Sequence, residues 1–168
     1  MKSHLVAAIL PALLFAAACK KDAPHSTSSF AGVWVCDGHT DYKFTEQPTQ
    51  SDRSVAATLT TTMVANGDSL EATSVRANGE STGCVTRYTL HGDTAIANPG
   101  QVCKARSKHS NGDTEDITVT VTNATATLSG PSYEENVEAT FTLSIMSPNG
   151  EAKHLAGNAI ASETCHRK

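Results

Sequence analysis

Five cysteines, seven histidines and the adjacent carboxylates Glu134 and Glu135 are the side chains of this 168-residue sequence singled out first as suited to chemistry. Four of the cysteines, Cys36, Cys84, Cys103 and Cys165, form an even set with no C-x-x-C pair among them. That pattern points to two disulfides formed in an oxidising compartment rather than to a zinc site. Four cysteines allow three connectivities. We favour Cys36 with Cys165, which would join the terminal strands, and Cys84 with Cys103, which would clip neighbouring strands. In the loop-entropy picture the short clip is worth about 3 kcal/mol and the long one just under about 5 kcal/mol.

His39 closely follows Cys36, and His166 follows Cys165, so the long bridge would draw His39 and His166 together as a weak candidate metal site. Their polar surroundings favour plain exposed histidines, and no cofactor is expected. Glu134 and Glu135 stand side by side, and neighbouring strand residues point to opposite faces, so they do not face each other across a cleft as a glycosidic acid pair must. The sequence holds no G-x-S-x-G elbow, H-E-x-x-H helix or Gly-rich phosphate loop. The expectation is therefore a non-enzymatic protein, with an envelope hydrolase as an unsupported third class. With 13 basic against 17 acidic residues and no basic cluster, nucleic acid is not an expected partner.

The elements that would position these residues are strands. Asn66-Gly67, Asn78-Gly79, Asn111-Gly112 and Asn149-Gly150 mark tight hairpin turns with positive φ angles, and Gly92-Asp93 marks a fifth. Between them the period is two. Leu59, Thr61 and Met63 share a face, as do Cys84, Thr86, Tyr88 and Leu90, then Ile117, Val119 and Val121, then Phe141, Leu143 and Ile145. The alternate positions are rich in Thr, whose branched β-carbon suits a strand and whose hydroxyl stays solvated. A last strand is expected from about Glu151 to Ser162. The fold class is all-β, an up-and-down antiparallel meander of about 8–10 strands. Leaving no bare edge favours a closed barrel over a tightly rolled sandwich.

The N-terminus sets the compartment. Lys2, an apolar run from Leu5 to Phe15 and then Ala16-Ala17-Ala18 precede Cys19. A basic start, an apolar segment too short to span a bilayer and a small-residue cleavage site read as a secretory signal. With Cys19 directly after the small residues, the segment resembles a bacterial lipoprotein signal, although Ala16 stands where the lipobox usually has a branched apolar residue. The resemblance implies a signal over 1–18, lipidation at Cys19, a lipidated flexible tether over 19–29 and one domain over 30–168. It also implies a membrane partner reached through acyl chains. Lys20 at the second mature position fits the outer rather than the inner membrane. The alternative is an ordinary signal peptide that leaves Cys19 a free thiol.

Gly32-x-Trp34, within Phe30-Ala31-Gly32-Val33-Trp34, resembles the Gly-x-Trp opening of lipocalin-type barrels. In that family the tryptophan packs at the closed end under an arginine from a late strand, here Arg167. The resemblance implies a small apolar ligand entering from the opposite end. The inward candidates are Trp34, Leu59, Met63, Tyr88, Ile117, Val119, Phe141 and Leu143; the same residues would also fill a dry core. A second reading is an inhibitor or protein-interaction module whose partner is an envelope protein. Trp34-Val35-Cys36-Asp37-Gly38 resembles the opening of lipoproteins that inhibit c-type lysozyme, but their Ser-Gly-x-x-Tyr loop is not found here. A monomer is expected in either case.

Overall fold

The computed structural model describes residues 27–45, 52–66 and 69–168. Cys19, the apolar leader and Gly67 of the first Asn-Gly pair lie outside the described residues. Among the described residues a helical turn, α1 (Thr27–Phe30), leads into nine strands: β1 (Gly32–Phe44), β2 (Arg53–Asn66), β3 (Ser69–Arg76), β4 (Ser81–His91), β5 (Thr94–Ala97), β6 (Gln101–Lys108), β7 (Thr114–Ser129), β8 (Ser132–Met146) and β9 (Ala152–Arg167). Each strand pairs antiparallel with its neighbour in the order β5-β4-β3-β2-β1-β9-β8-β7-β6, and β5 also pairs with β7 through Thr94↔Thr127, Ala95↔Ala126 and Ile96↔Thr125. That pairing closes the sheet. The fold is an up-and-down barrel of eight staves, with β6 as an extra strand continuing the line of β5 along β7.

Closure is uneven around the ring. The terminal strands β1 and β9 pair over eleven positions, from Trp34↔Arg167 to Phe44↔Gly157. Between β4 and the β5–β6 stave, four backbone pairs run from Tyr88↔Ala97 to His91↔Thr94. Next along the seam, the Gln101 carboxamide stands in for a peptide group: its Oε1 accepts from the Arg87 N–H at 2.7 Å and its Nε2 donates to the Arg87 carbonyl at 2.9 Å. Beyond Gln101 the link is the Cys84–Cys103 disulfide. The two backbones approach so closely there that a Cβ on Gly83 would lie 2.3 Å from the Lys104 carbonyl oxygen.

Three of the connecting turns share one construction. In residues 76–80, 109–113 and 147–151 the glycine N–H donates back three residues, and the first residue's N–H donates to the carbonyl of the fifth. The asparagine Oδ1 of Asn78, Asn111 or Asn149 accepts from the N–H two residues on. Only Gly79, Gly112 and Gly150 have positive φ; their asparagines do not. The Asn-Gly pairs therefore make three-residue loops with a glycine bulge rather than two-residue turns needing two positive φ angles. The strand directions place all three turns at one end of the barrel, the end where β1 finishes.

Two expectations are corrected at the termini. β9 does not stop at Ser162 but runs to Arg167, because residues 163–167 keep pairing with both β1 and β8 or with the turn before β8. Thr27–Ser29, expected as tether, belong to α1: Phe30 is fully buried in the core, and Arg167 Nη2 donates to the Ser29 carbonyl at 2.8 Å.

Candidate functional site

The barrel interior divides along its axis. At the end nearest α1 it is solid. Trp34, fully buried, donates from Nε1 to the Phe30 carbonyl at 2.8 Å and meets Tyr133 edge-on at 5.0 Å. The Arg167 guanidinium lies 4.6 Å from the centre of the Trp34 ring, so the arginine expected from the Gly32-x-Trp34 resemblance does cover the tryptophan. Met63, Leu70, Tyr88, Ala95, Ala124, Ala126 and Leu128 fill the rest of this half. Here too lies the Cys36–Cys165 disulfide, between residues directly opposite in the β1–β9 ladder. Both disulfides follow the favoured connectivity.

Above this floor sits an acidic layer that sequence reasoning missed. Glu135 on β8 is opposite Glu163 on β9, and both face inward because they are in phase with Tyr133 and Cys165. The Glu135 carboxylate accepts a hydrogen bond from the Tyr88 hydroxyl of β4, on the far side of the interior. Burial is the main force on these groups. It pushes the Glu135 carboxyl up to about 7, opposed by the Tyr88 hydrogen bond and reinforced by Glu163. Burial likewise raises Glu163. Tyr88 is raised well above its ordinary value by burial and then by the neighbouring Glu135 charge, so it stays a donor. Glu163 also comes close to the sulfurs of Cys36 and Cys165, but those sulfurs are bonded to each other and are not ligands. The signal for this layer was available. Counting outward from Asn149-Gly150 in the register Met146↔Ala152 brings Glu135 opposite Glu163.

At the open end a cavity of about 280 Å³ is lined by apolar side chains, among them Ile117, Phe141, Leu143, Ile145 and Leu155. Its wall is built from aromatic edges: Tyr42 and Phe44 each meet Phe141 at 5.4 Å and nearly perpendicular. Gly157, paired with Phe44 and Phe141, leaves the space that the Phe141 ring occupies; a Cβ there would stand 2.9 Å from Phe141 Cε1. Among the described residues, the charged side chains in the lining are Arg53, Lys153 and Glu115. Glu115 is already engaged by His109 Nε2 at 3.1 Å. A second hollow of about 290 Å³ adjoins through Glu115 and Ile117 and reaches Arg76 and Ala105 beside the seam.

The eight inward candidates all occupy the inner phase of their strands, but they do not form one site. Ile117, Phe141 and Leu143 line the cavity. Trp34, Met63 and Tyr88 belong to the solid floor, Leu59 packs against it, and Val119 pairs with Phe141. The metal candidate is corrected. His39 pairs with Ser162 and His166 with Val35, so four strand positions, about 13 Å, separate two exposed outward rings. In-register pairing of Cys36 with Cys165 brings together their pairing partners, not His39 and His166. Glu134 and Glu135 do point oppositely, one exposed and one buried.

No family model and no curated protein matches the chain. Among solved structures, one from Nostoc punctiforme, described as a protein of unknown function from the DUF3598 family, aligns at a TM-score of 0.32 and 10% identity. The alignment covers 86% of this chain and 49% of that one, so the chain spans about half of its length. A likeness this slight bears on neither fold nor function.

Proposed function

We propose that this protein is a lipid-anchored, non-enzymatic component of the cell envelope, most consistent with an outer-membrane position, whose barrel holds a small apolar molecule at its open end. The observation carrying this reading is the division of the interior. A barrel serving only as a rigid body would be filled along its length, whereas here packing stops above the acidic layer and aromatic and aliphatic walls surround about 280 Å³. Binding cavities are usually apolar with a few placed polar groups, and this one lies just below their usual size range of about 300–1,000 Å³. Two disulfides support residence in an oxidising compartment. Cys19 supplies the anchor in this reading; Cys19→Ser is expected to abolish palmitate labelling and release the protein from membranes.

The test of the cavity is binding of the neutral fluorophore N-phenyl-1-naphthylamine to the full chain carrying Cys19→Ser, which dispenses with detergent. Saturable binding is expected, and Leu143→Trp, which fills the space, should weaken it by roughly tenfold or more. A parent protein that does not bind the dye, or a filled variant that binds as well, overturns the reading.

A further inference from the structure

We propose that the open end is a strand-addition site, where an extended peptide pairs antiparallel with the free edge of β2 at Ser54, Ala56 and Thr58 and lays alternate apolar side chains into the cavity. The apolar seats rest on the cavity reading above; the edge is an observation independent of it. β2 pairs with β1 from Arg53 onward, but its pairing with β3 begins only at Leu59↔Arg76, where the turn 76–80 reverses the chain. Among the described residues, 53–58 therefore have a strand on one side alone, and all six are exposed. β6, on the far side of the β3–β4 hairpin, runs on to Lys108. The wall at the open end thus carries a notch two strand positions wide, about 10 Å.

Register decides which backbone groups face the notch. The Arg76 N–H donates to the Glu80 carbonyl on the β4 side at 2.8 Å, so Val75 turns its own groups toward β2, and its partner Thr60 turns toward β3. Counting back by two, Ser54, Ala56 and Thr58 present their N–H and carbonyl groups to the notch, where no described strand pairs with them. Natural edges are guarded by lysine, proline, inward charge or a bulge. The run Ser54-Val55-Ala56-Ala57-Thr58 has none of these. Beside this edge lie the seats: Val55 lines the cavity with Ile117, Phe141 and Leu143, and Ala57 is in phase with Val55. Strand addition draws affinity from main-chain bonds and selectivity from pockets for alternate side chains, and both are present here. The occupant is accordingly an extended segment with aliphatic residues at every second position. A notch this narrow, walled by β2 and β6, admits such a segment but not the full sheet behind the edge of a second barrel.

The probe is a fluorescein-labelled octapeptide alternating threonine and valine, added to the full chain carrying Cys19→Ser. Saturable binding is expected, and Leu143→Trp should weaken it by roughly tenfold or more. With the valines inward, antiparallel pairing sets the threonines opposite Ser54, Ala56 and Thr58. N-methylating the threonine amides should therefore weaken binding by at least roughly tenfold, while N-methylating the valine amides should leave it intact. Ala56→Pro removes the central N–H of the edge without touching a β1–β2 bond and should also abolish binding; the two methylated peptides, read on the parent protein, decide the matter if this variant does not fold. Equal binding of the methylated peptides, the reverse order, or a peptide indifferent to Leu143→Trp overturns the proposal. No peptide binding where N-phenyl-1-naphthylamine still binds overturns strand addition and leaves the cavity reading standing. A parent that sediments as a dimer, made monomeric by Ala56→Pro, assigns the edge to a second copy and overturns the peptide. Failure of dye and peptide alike removes the cavity reading and this inference together.

Discussion

The Tyr88 hydroxyl donates to the Glu135 carboxylate across the barrel interior, tying β4 to β8 past the two staves between them. A buried carboxyl held this way has a consequence for stability. Glu135 has a pKa of about 7 in the folded chain against 4.5 for an ordinary glutamate, so between those values the folded state binds the extra proton. The proton-binding contribution is therefore complete below about pH 4.5 and is lost as pH rises through 7. Glu163, raised by burial on the facing strand, acts in the same direction. The loss attributable to Glu135 is about 3 kcal/mol, from the shift and the linkage relation. Urea midpoints should fall between pH 5 and pH 8, and Glu135→Gln should flatten the profile and stand above the parent at pH 8. A parent as stable at pH 8 as at pH 5 would contradict the assignment.

The seam between β4 and β6 predicts a local effect. The disulfide Cys84–Cys103 takes over where the Gln101 bridge to Arg87 ends. Replacing both cysteines with serine should cost about 3 kcal/mol, the loop-entropy value for a short clip. Amide exchange should accelerate first in residues 81–86 and 102–108, with the long β8–β9 ladder still protected. Uniform acceleration through all strands would show that the seam is no weaker than the rest of the ring.

At Gly157 the constraint is space. A Cβ would fall 2.1 Å from the Lys43 carbonyl oxygen as well as against Phe141, so Gly157→Ala must move a backbone or the ring. The expected cost is about 1–3 kcal/mol, as for other overpacked interiors, read as a lowered thermal midpoint. Ile160→Ala, at an exposed outward position of the same strand, serves as the control and should change little. An unchanged Gly157→Ala midpoint would mean that the terminal ladder yields more easily than the close approach implies.

Much of this architecture could be read from residues before any coordinates. The alternation of Ile117, Val119 and Val121 with Thr118, Thr120 and Thr122 fixes which face is inward, and edge closure then selects a barrel. The disulfides follow because each pairs cysteines on elements the topology makes neighbours. What escaped was whatever depends on counting pairs across turns. Glu135 and Glu163 look like ordinary surface carboxylates until the β8–β9 register opposes them, and the exposed Arg53 and Lys153 are assigned to the cavity rim only by their pairing with Tyr42 and Ile145. The end of β9 was misjudged for a related reason. Ser162, Glu163 and Thr164 carry no apolar alternation, and pairing with β1 and β8 rather than hydrophobicity extends the strand to Arg167.

The chain enters the barrel at its sealed floor, where α1 packs, and the cavity faces the other way. β9 runs the full height in 16 residues. At about 3.3 Å per residue and a tilt near 40°, that height is roughly 40 Å. An attachment made through the segment before Thr27 would therefore hold the barrel by its base. The mouth of the cavity would then stand a full barrel height from the point of attachment.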